Sequence, residues 1–143
     1  MAVSKAADYS ILVVVYLSSL PANEIKSKSE IAENLNLPAD FLSKILQKLT
    51  KANIIQSVKG SLGGYRLIKA PHEITLRSIM EIMDGPAHMI DCLSDDFVDC
   101  GRMDLCQPII RKIRSVEEEI NSILDRVTFD KLMVNVNSEN QPN

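Results

Sequence analysis

Ile109, Ile113, Val116, Ile120, Ile123 and Val127 follow one another at a 4-3-4-3-4 spacing near the end of this chain. Such a stripe tracks one face of a single helix for about three heptads, and only another helix lying along it can bury it. Ile110 and Leu124 widen the stripe, while Arg111, Lys112, Arg114, Glu117, Glu118, Glu119 and Asp125 lie off it. The first helix of the chain could cover part of the stripe. A second copy of the same chain is the natural alternative. Pro108 is the expected start of this helix, since a proline is harmless in a first turn, and Thr128–Leu132 reads as a cap and one more turn.

Just before this helix stand all three cysteines, Cys92, Cys100 and Cys106, at C-x7-C-x5-C spacing. The segment also carries Gly101 and the aspartates Asp95, Asp96, Asp99 and Asp104, and no apolar period runs through it. Packing does not explain such a segment. Clustered thiols point to a metal or redox site.

Apolar residues make up 45% of the 143-residue chain, enough for one domain with a proper core. With no Trp and 4% aromatics, that core must be built from Ile, Leu, Val and Met. The start of the chain lacks the basic-then-apolar layout of a signal peptide, and no apolar run is long enough to span a bilayer. A cytoplasmic protein is expected, and an odd number of cysteines there argues against a disulfide framework. The net charge of −3 is unevenly spread: residues 1–70 carry nine Lys/Arg against five Asp/Glu, and residues 71–143 carry seven against fourteen. A basic first half on an acidic chain suits a polyanion-binding face.

The helical pattern of that first half is specific. Residues 4–19 read as a helix capped by Ser4, with Asp8 in an early turn. Residues 29–35 form a short helix with Ser29 as its cap, Asn36-Leu37-Pro38 is a turn, and a helix over 38–52 follows with Phe41, Leu42, Ile45, Leu46 and Leu49 on one face. This is a helix-turn-helix, whose second helix enters the major groove N-terminus first. Ser29, Pro38, Ala39, Asp40, Ser43, Lys44 and Lys48 are the candidate DNA contacts. Strands over 54–58 and 65–68, joined by Lys59-Gly60-Ser61-Leu62-Gly63-Gly64, then form a wing, with Lys59 and Arg66 flanking its tip. Another helix runs from a Thr75 cap to a Gly85 stop. The predicted fold is mainly α with a small β wing. Residues 1–70 form a winged helix-turn-helix domain, 71–107 a linker helix and cysteine-rich loop, 108–132 a dimerisation helix and terminal turn, and 133–143 a disordered tail.

Asp8-Tyr9, Ser29-Glu30-Ile31-Ala32, Phe41-Leu42-Ser43-Lys44-Ile45-Leu46, Val58-Lys59-Gly60, Gly63-Gly64-Tyr65-Arg66-Leu67 and Thr75 to Gly85, followed by the cysteine segment, together resemble the IscR/NsrR/RirA-type winged-helix transcription regulators of bacteria. The resemblance runs from residue 1 to about 132. It implies a homodimer on a near-palindromic operator, with an iron–sulfur cluster on Cys92, Cys100 and Cys106 whose state sets DNA affinity. The C-x7-C-x5-C spacing looks most like the iron-responsive members. IscR-like members take a fourth ligand three residues after the last cysteine, and that position here is Ile109, which cannot ligate iron. The resemblance offers Asp8 of the partner subunit in its place, because nitric-oxide-sensing members use an aspartate at the matching position. His88, water or a small thiol are the alternatives. Three thiolates and one oxygen suit a [4Fe–4S] cluster with one labile iron better than a [2Fe–2S] cluster. Leu62 stands where the family commonly has glycine. A zinc- or thiol-based sensor of the same fold, or a metal-binding adaptor that does not bind DNA, are the rival readings. No nucleophile–base pair or phosphate loop marks an enzyme.

Overall fold

The computed structural model describes residues 3–133, so most of the expected tail (134–143) lies outside the described residues. Among the described residues the named elements follow in the order α1 (Lys5–Ser19), α2 (Lys28–Leu35), α3 (Ala39–Lys51), β1 (Ile55–Val58), β2 (Gly64–Leu67), α4 (Leu76–Asp84) and α5 (Met103–Arg126), with β1 and β2 forming a two-stranded sheet. Short 3-10 turns stand at Pro71–Glu73 and Asp91–Leu93. Among the described residues, no helix is long and apolar enough to cross a membrane.

Caps fix most of the boundaries. Ser4 opens α1 by accepting from the Ala7 N–H at 3.1 Å. Thr75 and Ser78 form a reciprocal capping box on α4, and Gly85 stops it at φ +77°. The α2 cap differs from expectation. Ser27, not Ser29, is the cap: its hydroxyl accepts from Glu30 N–H at 3.2 Å while Glu30 accepts from Ser27 N–H at 2.7 Å. Ser29 has Ala32 three residues on and so cannot close such a box. The Ser27 N–H, chiefly, holds the Glu30 carboxyl below its ordinary pKa.

The core lies where α1, α2, α3 and α4 meet. Val13, Val14, Leu17, Ile31, Leu42, Ile45, Leu46, Leu49 and Ile79 are buried there with Ile54, Ile55, Ile74 and Phe129. Each such side chain contributes about 1.5–3 kcal/mol. Tyr9 and Phe41 meet edge to face, with ring centroids 5.3 Å apart, and tie α1 to the start of α3.

β1 and β2 pair antiparallel, Ile55 opposite Leu67 and Gln56 opposite Arg66. The hairpin is one residue tighter at each outer end than expected: Ile54 precedes β1, and Ile68 lies beyond β2 at 48% exposure. A third segment, missed in the sequence, completes it. Lys26 and Tyr65 exchange backbone hydrogen bonds of 3.0 and 2.8 Å, so the strap ahead of α2 runs beside β2. A side chain at Gly64 would run into the Lys26 carbonyl and the Ser27 nitrogen. Gly64→Ala is therefore expected to destabilise the fold by about 1–3 kcal/mol and to expose the Lys26 and Tyr65 amides to hydrogen exchange. Unchanged urea denaturation and protection would contradict this contact.

The greatest departure is α5. It starts at Met103 rather than Pro108, so Cys106 is helical and Pro108 is interior. Leu105 and Cys106 both donate to the Arg102 carbonyl at 3.1 Å, while Pro108 has no N–H to give to Asp104 four residues back. The expected boundary at 107 between loop and helix thus moves back to Arg102. α4 and the second half of α5 run antiparallel. Leu76 N–H donates to Val127 carbonyl at 2.8 Å, Phe129 N–H to Ile74 carbonyl at 3.0 Å, and Arg77 bridges Asp125 at 2.9 Å. Residues 129–133 make the further helical turn expected after Thr128. α1 packs on α4 rather than along α5.

Candidate DNA-reading face and cysteine segment

The recognition face is built from the ends of α2 and α3. Ala39, Asp40, Lys44, Gln47, Lys48 and Lys51 are exposed along α3, opposite buried Leu42, Ile45, Leu46 and Leu49. Pro38 is the α3 N-cap and supplies no side-chain hydrogen bond, so the first-turn N–H groups remain available to an anion. Ser43 accepts from Lys28 Nζ at 3.0 Å and donates to Ala39 carbonyl at 3.1 Å. Lys28, which sequence reasoning overlooked, is the first residue of α2 and reaches across to α3. A cation beside two helix N-termini gains nothing from their dipoles. Its place there concentrates positive potential on this face. Ser29 is exposed one residue further on.

On the wing, Lys59 is exposed and Leu62 at the tip is 90% exposed. Arg66 donates from Nε and Nη2 to Gln56 Oε1 at 3.0 and 2.7 Å, which fixes one edge of its guanidinium by a cross-strand pair. Lys48 is placed differently. Its Nζ donates to the Met83 carbonyl at 2.7 Å, at the C-terminal end of α4.

The three cysteines are free thiols: Cys92 and Cys106 are half-buried and Cys100 is exposed. Cys92 lies in the Asp91–Leu93 turn, which packs against α5, and Cys106 lies in the first turn of α5 itself. Cys100 is on the irregular span between them. Among the described residues, no three Cys, His, Asp or Glu side chains are gathered closely enough to hold a metal ion. The donor chemistry fits an iron–sulfur group, because three soft sulfur donors stand on one segment fastened to a helix at both ends. The irregular span would have to close around the group. Asp8 is exposed in the first turn of α1.

His88 is engaged elsewhere. Its Nδ1 lies 3.1 Å from Glu117 Oε1, and Met89 N–H donates to Glu117 Oε2 at 2.9 Å. Glu117, which lies off the apolar stripe in the sequence, is buried. Burial pushes its carboxyl up, but Met89 N–H and His88 outweigh that and hold it below the usual glutamate range. Along α5, Glu117 stands about 16 Å of rise beyond Cys106, so this clamp keeps His88 well away from that thiol. The sequence signal for Glu117 was its spacing, seven residues from both Ile110 and Leu124, on the face turned to α4 and the preceding loop.

A helix-turn-helix with a basic wing and one long C-terminal helix defines a winged-helix regulator of transcription. Residues 3–135 match the Rrf2 family, described as an iron-dependent transcriptional regulator. The chain is 25% identical to the HTH-type transcriptional regulator NsrR of Halalkalibacterium halodurans, over 94% of this chain and 92% of that one. Its fold matches that of T. potens IscR with a TM-score of 0.74 at 23% identity, covering 100% of this chain and 93% of the other. It also matches CymR, the global cysteine regulator of B. subtilis, with a TM-score of 0.72 at 23% identity over 94% and 97% of the two chains. The chain belongs to the Rrf2 family of winged-helix transcriptional regulators and is not an enzyme.

Proposed function

We propose that this chain is a cytoplasmic, homodimeric repressor whose affinity for a near-palindromic operator is set by an iron–sulfur cluster, [4Fe–4S] rather than [2Fe–2S]. The observation that carries the reading is the fastening of one three-thiol segment to α5 at both ends, through the Asp91–Leu93 turn and through Cys106. Cys92, Cys100 and Cys106 hold the group. Asp8 of the partner subunit or water completes it, since Glu117 occupies His88 three helical turns from Cys106. When bound, the cluster supplies a centre that iron supply, oxidants or nitric oxide can alter.

The open first turn of α3 presents Pro38, Ala39 and Asp40 to the major groove, with Ser43 and Lys44 on the following turns. Ser29 and Lys28 reach flanking phosphate from α2, and Lys59 and Arg66 do so from the wing. The two copies of α5 meet along Ile109, Val116 and Ile123, which are 59%, 46% and 54% exposed in the single chain. Holding or releasing the cysteine segment changes how α5 is braced and so the spacing of two recognition helices.

Anaerobic purification with iron and sulfide counts tests this, beside a gel shift of the loaded and metal-free protein. The expected result is broad visible absorbance, lost in Cys100→Ala, and a change in DNA affinity on loading. Colourless protein whose DNA binding responds to peroxide would assign the thiols to disulfide chemistry instead.

A further inference from the structure

Three parts of the molecule converge on the C-terminal end of α4. Lys48 of α3 donates to the Met83 carbonyl at 2.7 Å. That carbonyl is one of the last four of its helix and has no partner within it, so the lysine fills an orphan acceptor at the negative end of the dipole. Ser4, the cap of α1, donates to Asp84 Oδ1 at 2.6 Å. Gly85 then turns the chain out of the helix at φ +77°, and within four residues Met89 is pinned to Glu117 on α5. Cys92 follows three residues later.

An open groove flanks this junction. Ala6, Phe41, Lys44, Ile45, Lys48 and Met83 line it, about 180 Å³ between α1, α3 and α4. A single hydrogen-bonded strut beside a groove leaves the end of α3 room for a second position.

We propose that residues 83–89 are the joint coupling the cysteine segment to the recognition helix, with Lys48 and Glu117 as its two positioning residues. This rests on the reading that the cysteine segment controls DNA binding. Glu117 fixes one end of the joint to α5, and Lys48 rests the back half of α3 on the other. A pull at Cys92 reaches Met89 first, passes along Gly85–His88, and shifts the carbonyl that supports α3. Lys48 is then a coupling strut and not a phosphate contact.

The test uses full-length protein and a duplex of about 30 base pairs selected by the wild type from a randomised pool. Affinity is measured for metal-free reduced protein and for protein reconstituted anaerobically with iron and sulfide, across a range of salt. Wild type should differ between the two states by roughly 5–150-fold. In Lys48→Met and Glu117→Gln that ratio should fall towards one, while the slope of log affinity against log salt stays at its wild-type value. A Lys48→Met protein that keeps the ratio and loses about one unit of salt slope would show a phosphate contact and overturn the proposal. So would a Glu117→Gln protein with an intact ratio. Hydrogen exchange on metal-free Glu117→Gln should rise both in residues 85–93 and in α3. A rise confined to 85–93 overturns the coupling. A wild type with no difference between its two states, or no chromophore after reconstitution, defeats the sensor reading itself.

Discussion

Val116→Asp is expected to give a folded chain that no longer dimerises and no longer holds its operator. Val116 is 46% exposed in the middle of the open stripe of α5, between Ile109 and Ile123. It touches little of its own domain, so the single chain should keep its stability to within about 0.5 kcal/mol. Across a two-fold axis the substitution acts twice. Each copy places an unpaired carboxylate in an apolar seam, at about 3–5 kcal/mol per buried uncompensated charge. The dimerisation constant should fall by about 10⁴-fold or more. A monomer also loses the tethering of the second half-site, so operator affinity should drop by at least about 100-fold. Sedimentation and a gel shift measure both effects. Glu118→Gln, on the exposed face beside the seam, is the control and should change neither. A Val116→Asp protein that sediments as a dimer would move the interface elsewhere.

The sequence showed this stripe because its residues repeat with the period of a helix and have no partner in the chain. The helix-turn-helix and wing were legible for the same reason: alternation and turn chemistry are local. What it hid depends on contacts distant in sequence. The Lys26–Tyr65 pairing joins a polar strap to a strand, and neither side chain pattern announces it. Lys48 reads as one more lysine on a basic face until the end of α4 is brought against it. The α5 boundary differs because a proline reads as a helix start, whereas the helix runs back through Pro108 to Met103. Two further features do carry a local signal. Ser27-x-x-Glu30 is a capping-box pattern that Ser29 lacks. Glu117 shares a heptad position with Ile110 and Leu124, and a carboxylate on an inward face implies a buried partner. The cysteine segment was recognisable by composition, but among the described residues its thiols are not gathered into a metal-holding group.

Phe129→Ala is expected to have the largest effect on stability. Phe129 is fully buried within the main core. Its backbone N–H donates to the Ile74 carbonyl at 3.0 Å, beside the Thr75–Thr128 bridge that joins the entry to α4 and the exit from α5. Truncation removes the transfer energy of the ring and leaves a void that rigid neighbours such as Ile74 and Ile79 cannot fill. The combined loss is about 3–5 kcal/mol, a large part of the roughly 5–15 kcal/mol available to a domain. For a chain of this length the melting temperature should fall by about 10–15 °C, and the urea midpoint should move with little change in slope. Leu62→Ala, at the 90% exposed wing tip, is the matched comparison and should stay within about 0.5 kcal/mol of wild type. If both substitutions have the same small effect, the C-terminal turn is not part of the core. In that case α5 is held to α4 chiefly by backbone hydrogen bonds and the polar Arg77–Asp125 and Glu117 contacts, and so is freer to swing with the cysteine segment. A loss confined to Phe129→Ala means that α5 is bolted to α4 at its C-terminal end. Movement originating at the cysteines must then pivot about that point and be greatest at the opposite end of α5, where Cys106 lies.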